Sequence, residues 1–206
     1  MKYDRCKKLF NNFDELQKLN ILICGIGGVG GYALDCLYRS GITNITAVDF
    51  DIFEIHNQNR QIGSEFVGEK KTEVFKKLYP KIETIDIKIT SEWIESFDFN
   101  RFDFVIDAID DIPAKIALIT KTYHKLISSM GAAKRIDPTK IEVTSIWKTC
   151  NDPFAKVIRD RLKKIGFKKD FKVVFSTEFP KKCEMGSFIG VTGSFGMVLC
   201  SNIVKS

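Results

Sequence analysis

From Ile21 to Asp49 the chain reads ILICGIGGVGGYALDCLYRSGITNITAVD: a short apolar run, a glycine cluster, an amphipathic stretch and a second apolar run ending in an acid. Gly25, Gly27 and Gly30 satisfy a G-x-G-x-x-G pattern. The pattern falls between an expected strand over Ile21–Cys24 and an expected helix over Val29–Arg39, which is the context that gives it meaning. Residues without a Cβ permit a tight turn. They let phosphates approach the free N–H groups at the helix start, where the dipole favours anions. Asp49, at the end of the second run, has the spacing of an acid that accepts hydrogen bonds from ribose hydroxyls. A ligand-free glycine turn is the plainer alternative, but strand, turn, helix, strand and acid all follow in order.

The chain has 206 residues, of which 44% are hydrophobic and 28% charged, with a formal net charge of +6. This suits one sizeable α/β domain, and the modest positive charge permits an acidic partner without requiring one. The six cysteines include no C-x-x-C pair, which argues against a zinc site or a disulfide framework and fits a reducing cytosol. Cys24 and Cys36 lie in apolar elements and read as core fillers. The charged start, MKYDRCKKLF, lacks the apolar segment of a secretory signal.

Outward from the glycine turn, residues 1–20 carry Leu9, Phe10, Phe13, Leu16 and Leu19 at near-helical spacing and predict one or two short helices. After Asp49 comes a polar loop in which Asn57, Gln58, Asn59, Arg60 and Gln61 stand in succession, a run suited to grip a nucleotide. A helix is expected over Val67–Leu78, with Lys71 in its first turn, where the dipole disfavours a cation unless an anion is close. Thr84–Ile89 reads as a strand and Trp93–Phe99 as a short helix. Phe102–Ile109 reads as a buried strand with Asp107, Asp110 and Asp111 at its far end. Ligands of open parallel sheets bind beyond the carboxyl ends of the strands, so a metal-binding carboxylate is expected there.

A helix over Ile112–His124 and a strand over Leu126–Met130 follow. Farther on, Lys140–Trp147 and Phe171–Ser176 read as strands, flanking a helix over Asp152–Ile165 that starts at Pro153. Lys156, Arg159 and Lys163 share one face of that helix, beside Arg161, Lys164, Lys168 and Lys169; such a run is either a solvated face or a surface for nucleic-acid phosphates. Gly186–Val204 is long and apolar but interrupted by Gly190, Gly193 and Gly196. It reads as a core helix or as helix plus loop, with a membrane span the disfavoured alternative.

Together, GIGGVG, VDFD, NQNRQ, GEKK and DAIDD resemble the ubiquitin-activating-type (ThiF/MoeB/HesA-like) ATP-dependent adenylyltransferases over roughly residues 5–135. The resemblance implies a Rossmann-like, mostly parallel sheet with helices on both faces, and a C-terminal mixed α/β extension. A single domain then divides into a nucleotide-binding half (1–135) and a substrate-facing half (136–206). The resemblance also implies ATP and Mg²⁺. Gly28, with Gly25, Gly27 and Gly30, would lie against the phosphates, and Asp49 would hold the ribose. Asn57, Asn59 and Arg60 would line the nucleotide, with Arg60 and Lys71 facing the phosphates. Asp110 would hold Mg²⁺ with Asp111 beside it. Arg5 takes the place of an arginine that, in the family, reaches across a homodimer into the partner's ATP site.

The later segments, GAAKRIDPTKIEVTSIWKTCNDPFAKVIRDRLKK and VVFSTE, resemble the branch that dehydrates threonylcarbamoyladenosine in tRNA, which implies tRNA as substrate and places Lys156, Arg159 and Lys163 as tRNA contacts. A cysteine-desulfurase sulfur acceptor is a further partner of that branch. The segment PKKCEM after Phe179 is short, a trimmed loop relative to the branch. Two alternatives remain. One is activation of the C-terminal glycine of a ubiquitin-like sulfur carrier, with Cys150 or Cys183 as an acyl acceptor. The other is an NAD-dependent oxidoreductase, which leaves Asn57–Arg60, Lys71 and Asp110 without a task.

Overall fold

The computed structural model describes residues 2–205. Seven strands form one sheet: β1 (Ile21–Cys24), β2 (Ile45–Asp49), β3 (Glu83–Asp86), β4 (Phe104–Asp107), β5 (Leu126–Ser129), β6 (Ile141–Ser145) and β7 (Lys172–Ser176). Their spatial order is β3-β2-β1-β4-β5-β7-β6, all parallel except β6, which runs antiparallel along the edge of β7. The order reverses between β1 and β4, and there the two flanking connections leave the sheet in opposite directions and open a crevice at the carboxyl edge.

Eight α-helices accompany the sheet: α1 (Asp4–Leu9), α2 (Phe13–Leu16), α3 (Gly30–Arg39), α4 (Lys71–Leu78), α5 (Ser91–Ser96), α6 (Ile112–Thr122), α7 (Pro153–Lys164) and α8 (Ile189–Val204). The period-two alternation of the strands sorts the core into two layers. Ile21, Ile23, Ala47, Ile106 and Val174 face α3, α4 and α8. Leu22, Val48, Val105, Val173 and Phe175 face α5, α6 and α7. Both faces are therefore covered, as near-continuous apolar strands require.

The expected mostly parallel, Rossmann-like architecture and its mixed C-terminal part are present. Boundaries differ where local chemistry intervenes. The helix expected from Val67 begins only at Lys71, because Gly68 has φ +89°, residues 62–69 form turns and bends, and Lys70 bridges to Ile52. Thr90 caps α5 by accepting from Trp93 N, so that helix starts at Ser91 and stops at Ser96, earlier than expected. Asp152 caps α7, accepting from Phe154 N and Ala155 N.

The C-terminal apolar run settles as α8, preceded by loop. Its glycines are a contact surface: a Cβ on Gly196 would stand 2.5 Å from Val29 O and 2.7 Å from Ala33 N, so α3 packs backbone to backbone there. Among the described residues no helix is long and apolar enough to cross a membrane.

Candidate active site

The glycine turn is built so that only glycine fits at its ends. Gly25 has φ +87°, and a Cβ there would lie 2.8 Å from Ala108 O, at the end of β4. On Gly30 a Cβ would lie 1.8 Å from Gly25 O. Strand β1, the start of α3 and the end of β4 are thereby drawn together. Asp49 fastens the turn from the other side: Oδ2 accepts from Ile26 N at 2.8 Å, while Oδ1 accepts from Phe50 N and Asp51 N. Asp49 is buried, and its carboxylate retains acceptor capacity for about one further donor.

The polar loop folds back over this turn. Asn57 is buried, and its Oδ1 accepts from Glu54 N at 3.0 Å, so it shapes the loop itself. Arg60 donates from Nη1 to His56 O and to Asn59 Oδ1, both at 2.8 Å. Its stem crosses Gly28, where a Cβ would stand 3.3 Å from Arg60 Cγ. Asn59 Nδ2 donates to Ser187 O at 2.9 Å, tying the loop to the segment before α8. Beside Gly27 lies the Gln61 amide, whose Oε1 is buried and has no hydrogen-bond partner. A buried orphan acceptor of this kind costs about 1–3 kcal/mol and fits a site completed by a ligand's donor.

Lys71 opens α4 almost wholly buried and pairs with Asp51 Oδ2 at 2.8 Å. That acid offsets the unfavourable position of a cation at a helix start. At the end of β4 the three acids separate. Asp107 is fully buried, paired with Lys115 at 2.8 Å and bonded by Ser128 Oγ at 2.5 Å, so it is closed to a metal. Asp111 caps α6 by accepting from Ala114 N. Asp110 is exposed and has no hydrogen bond or ion pair among the described residues. Among the described residues no cluster of three or more His, Cys, Asp or Glu side chains could hold a metal ion. Mg²⁺ tolerates this, since it binds through one or two carboxylates together with phosphates and water.

Gly25–Gly30, Asp49, Asn57, Asn59, Arg60, Lys71, Asp110 and Asp111 thus gather at the carboxyl edge. Arg5 does not join them. Its helix lies at the far end of α3, where Cys6 Sγ approaches Arg39 O and Tyr3 OH approaches Tyr38 O. The length of α3 alone, about 15 Å, separates it from the glycine turn of its own chain. On α7, Lys156 pairs with Asp160 and holds its carboxyl below the usual range. Arg159 donates to Thr149 Oγ1, and Lys163 is exposed. Cys150 and Cys183 are exposed free thiols.

Two buried charge pairs went unread in the sequence. Besides Lys115–Asp107, Arg135 lies 3.6 Å from Asp152, both side chains nearly inaccessible. Asp152 also accepts from Gly131 N, and Arg135 Nε donates to Glu178 O, so the pair locks the turn after β5 to α7 and to the end of β7. Burial pushes the Asp152 carboxyl up, against the backbone N–H of Ala155 and the Arg135 guanidinium. The missed signal was a lysine at an apolar position: Lys115 shares a stripe with Leu118, Ile119 and Thr122.

The glycine turn, crossed at Gly28 by the Arg60 side chain, is a recess whose N–H groups and cation suit an anion. The sequence profile of the ThiF family matches residues 9–205. The chain belongs to the ThiF family. This ThiF-family chain is 40% identical over 178 residues to tRNA threonylcarbamoyladenosine dehydratase of Bacillus subtilis, covering 81% of this chain and 70% of that protein. It is 34% identical over 227 residues to the protein of the same name from Escherichia coli, covering 90% and 85%. The crystal structure of the E. coli dehydratase in complex with ATP superposes with a TM-score of 0.93 at 33% identity, over 99% of this chain and 92% of that one.

Proposed function

We propose that this ThiF-family protein is an ATP-dependent tRNA threonylcarbamoyladenosine dehydratase that cyclises the modified nucleoside after adenylating its carboxylate. The observation that carries the reading is the carboxyl edge itself. The glycine turn, Asp49, Arg60, Lys71 and an unpaired Asp110 stand together in a fold that superposes on an ATP complex of a dehydratase of that name.

A carboxylate is a poor electrophile because its oxygen leaves badly. The threonyl carboxylate oxygen attacks the α-phosphorus of ATP, the bond to the β-phosphate breaks, and pyrophosphate leaves. The carbamoyl part of the same nucleoside then attacks the activated carbonyl carbon, the ring closes, and AMP departs with the carboxylate oxygen. One proton is released and the nucleoside has lost the elements of water. No protein nucleophile is needed.

Within this reading the chain positions and neutralises. The N–H groups around Gly27 and Gly28 and the start of α3 hold phosphate oxygens. Asp49 takes a ribose hydroxyl at its remaining acceptor position. Asn57 and Asn59 shape the nucleotide wall. Arg60 exchanges its carbonyl contacts for the phosphates, and Lys71, already fixed by Asp51, adds a second cation. Asp110, with Asp111 beside it, would hold Mg²⁺, which supplies charge neutralisation on the leaving pyrophosphate. Residues 1–135 serve the nucleotide and residues 136–206 face the substrate.

Arg5 is too far from its own turn to serve it, so it acts from a second subunit, and the working unit is a homodimer in the cytosol. The α7 cations Lys156, Arg159 and Lys163 meet tRNA phosphates. Cyclisation moves no sulfur, so a sulfur-acceptor protein, if bound, takes no part in the chemical step.

The test is pyrophosphate exchange. Exchange into ATP that depends on tRNA bearing threonylcarbamoyladenosine supports the reading. Exchange that depends instead on a small protein ending in Gly-Gly overturns it in favour of carrier activation.

A further inference from the structure

The amino edge of the sheet holds a second concavity, opposite the nucleotide crevice. A cavity of about 410 Å³ opens where β4, β5 and β7 begin, at Phe104, Leu126 and Lys172. The length of the strands puts about 15 Å between it and the glycine turn. Its wall is aromatic as well as cationic: Tyr123, His124 and Phe171 line it with Lys172. His124 is exposed, and its ring centre stands 5.5 Å from that of Tyr123.

The local sequence supplies an unusual rim. Residues 161–172 read RLKKIGFKKDFK, six cations against one acid. Gly166, at φ +72°, ends α7, and Phe167 N then returns to Leu162 O at 3.0 Å. The turn lays the Phe167 ring against Tyr123 and Phe171, at 5.7 and 6.4 Å between centres, and Lys168 and Lys169 follow it in the segment that leads to Phe171 and Lys172 on the cavity wall. Arg161, Lys163, Lys164, Lys168, Lys169 and Lys172 are all exposed, and none makes an ion pair among the described residues. The one acid, Asp170, also lines the cavity, and its Oδ1 accepts from Ser145 Oγ at 2.5 Å and Phe171 N at 2.9 Å. Farther up α7, Lys156 contacts Asp160 and Arg159 contacts Thr149, which leaves both able to meet a phosphate, whereas the cations beyond them have no such partner among the described residues. The uncompensated charge therefore lies at the far end of the helix, around the aromatic cavity.

We propose that this amino-edge groove is a second tRNA-binding site, which grips the RNA backbone and an unpaired base away from the reacting nucleoside. The inference rests on the dehydratase reading for the identity of the RNA. Six free cations favour a polyanion, and the exposed His124 ring beside the half-buried Tyr123 favours one with bases to stack. An RNA that reaches both edges must be longer than the loop that enters the active site. The groove thus measures substrate size: a whole tRNA engages it and a minimal anticodon stem-loop does not.

The test compares these two RNAs with wild-type protein, with the triple variant Lys168→Glu/Lys169→Glu/Lys172→Glu, and with His124→Ala, across a series of KCl concentrations. For whole tRNA, the triple variant should bind at least about tenfold more weakly, and its log–log salt slope should fall by about two. His124→Ala, which leaves all six cations in place, should weaken whole tRNA by roughly tenfold through lost stacking. Stem-loop affinity and ATP affinity should stay at wild-type values in both variants. If both variants bind whole tRNA like wild type, or if stem-loop binding falls in parallel, the groove is overturned while the dehydratase reading stands. If wild type binds neither RNA, both fall.

Discussion

Lys115 Nζ lies 2.8 Å from Asp107 Oδ2, and neither side chain touches solvent. Lys115 also donates to Ile109 O at 2.9 Å, so the pair holds the short connection that carries Asp110 out to the crevice. Removing one partner strands the other charge in the core. Lys115→Met should cost about 3–5 kcal/mol in urea unfolding, whereas Lys115→Met combined with Asp107→Leu should cost clearly less than the sum of the single variants.

Asp110 should separate activity from stability. Its side chain is exposed, with no hydrogen bond or ion pair among the described residues. Asp110→Ala should therefore abolish ATP-dependent turnover while unfolding free energy stays within about 0.5 kcal/mol of wild type. Equal turnover at saturating Mg²⁺ would remove Asp110 from the reaction.

Much of this was legible in advance. The strand–turn–helix–strand rhythm of residues 21–49 depends on local apolar runs and glycines, so it carried the parallel core. Asp49 and the Asn57–Gln61 run stood out by residue type and spacing, whereas the phosphate-facing roles of Arg60 and Lys71 came from the family resemblance. Long-range pairing was not legible. No local pattern says that β6 reverses against β7, that Asp107 meets Lys115, or that Arg135 meets Asp152 across a wide gap in sequence. The glycines of α8 read as breaks because their purpose, a close approach to α3, lies on another element.

Arg5 should complement in trans. An Arg5→Ala variant and an Asp110→Ala variant should each be inactive alone and, when mixed, should form hybrid dimers in which one of the two sites is whole. Statistical exchange should restore about a quarter of wild-type turnover. A mixture that remains inactive while subunit exchange is demonstrated would place Arg5 in its own subunit or outside the reaction.

Asp152 gives a pH signature. Burial raises its carboxyl pKa in the folded state, so the folded protein binds this proton more tightly than the unfolded chain. The group's contribution to stability is then greatest at low pH. It declines as pH rises from the ordinary carboxylate value through the raised one. Asp152→Asn removes that slope, keeps an acceptor for the cap and loses the charge pair with Arg135. The stability gap between wild type and variant should narrow as pH rises through that window, measured by urea unfolding; a gap that widens would contradict the assignment.

The most direct measurement is nucleoside mass analysis of tRNA carrying threonylcarbamoyladenosine after incubation with the purified protein, ATP and Mg²⁺. The account predicts conversion to a nucleoside lighter by one water, with one AMP and one pyrophosphate formed per nucleoside converted. An unchanged nucleoside under conditions where the protein binds ATP and tRNA would contradict it.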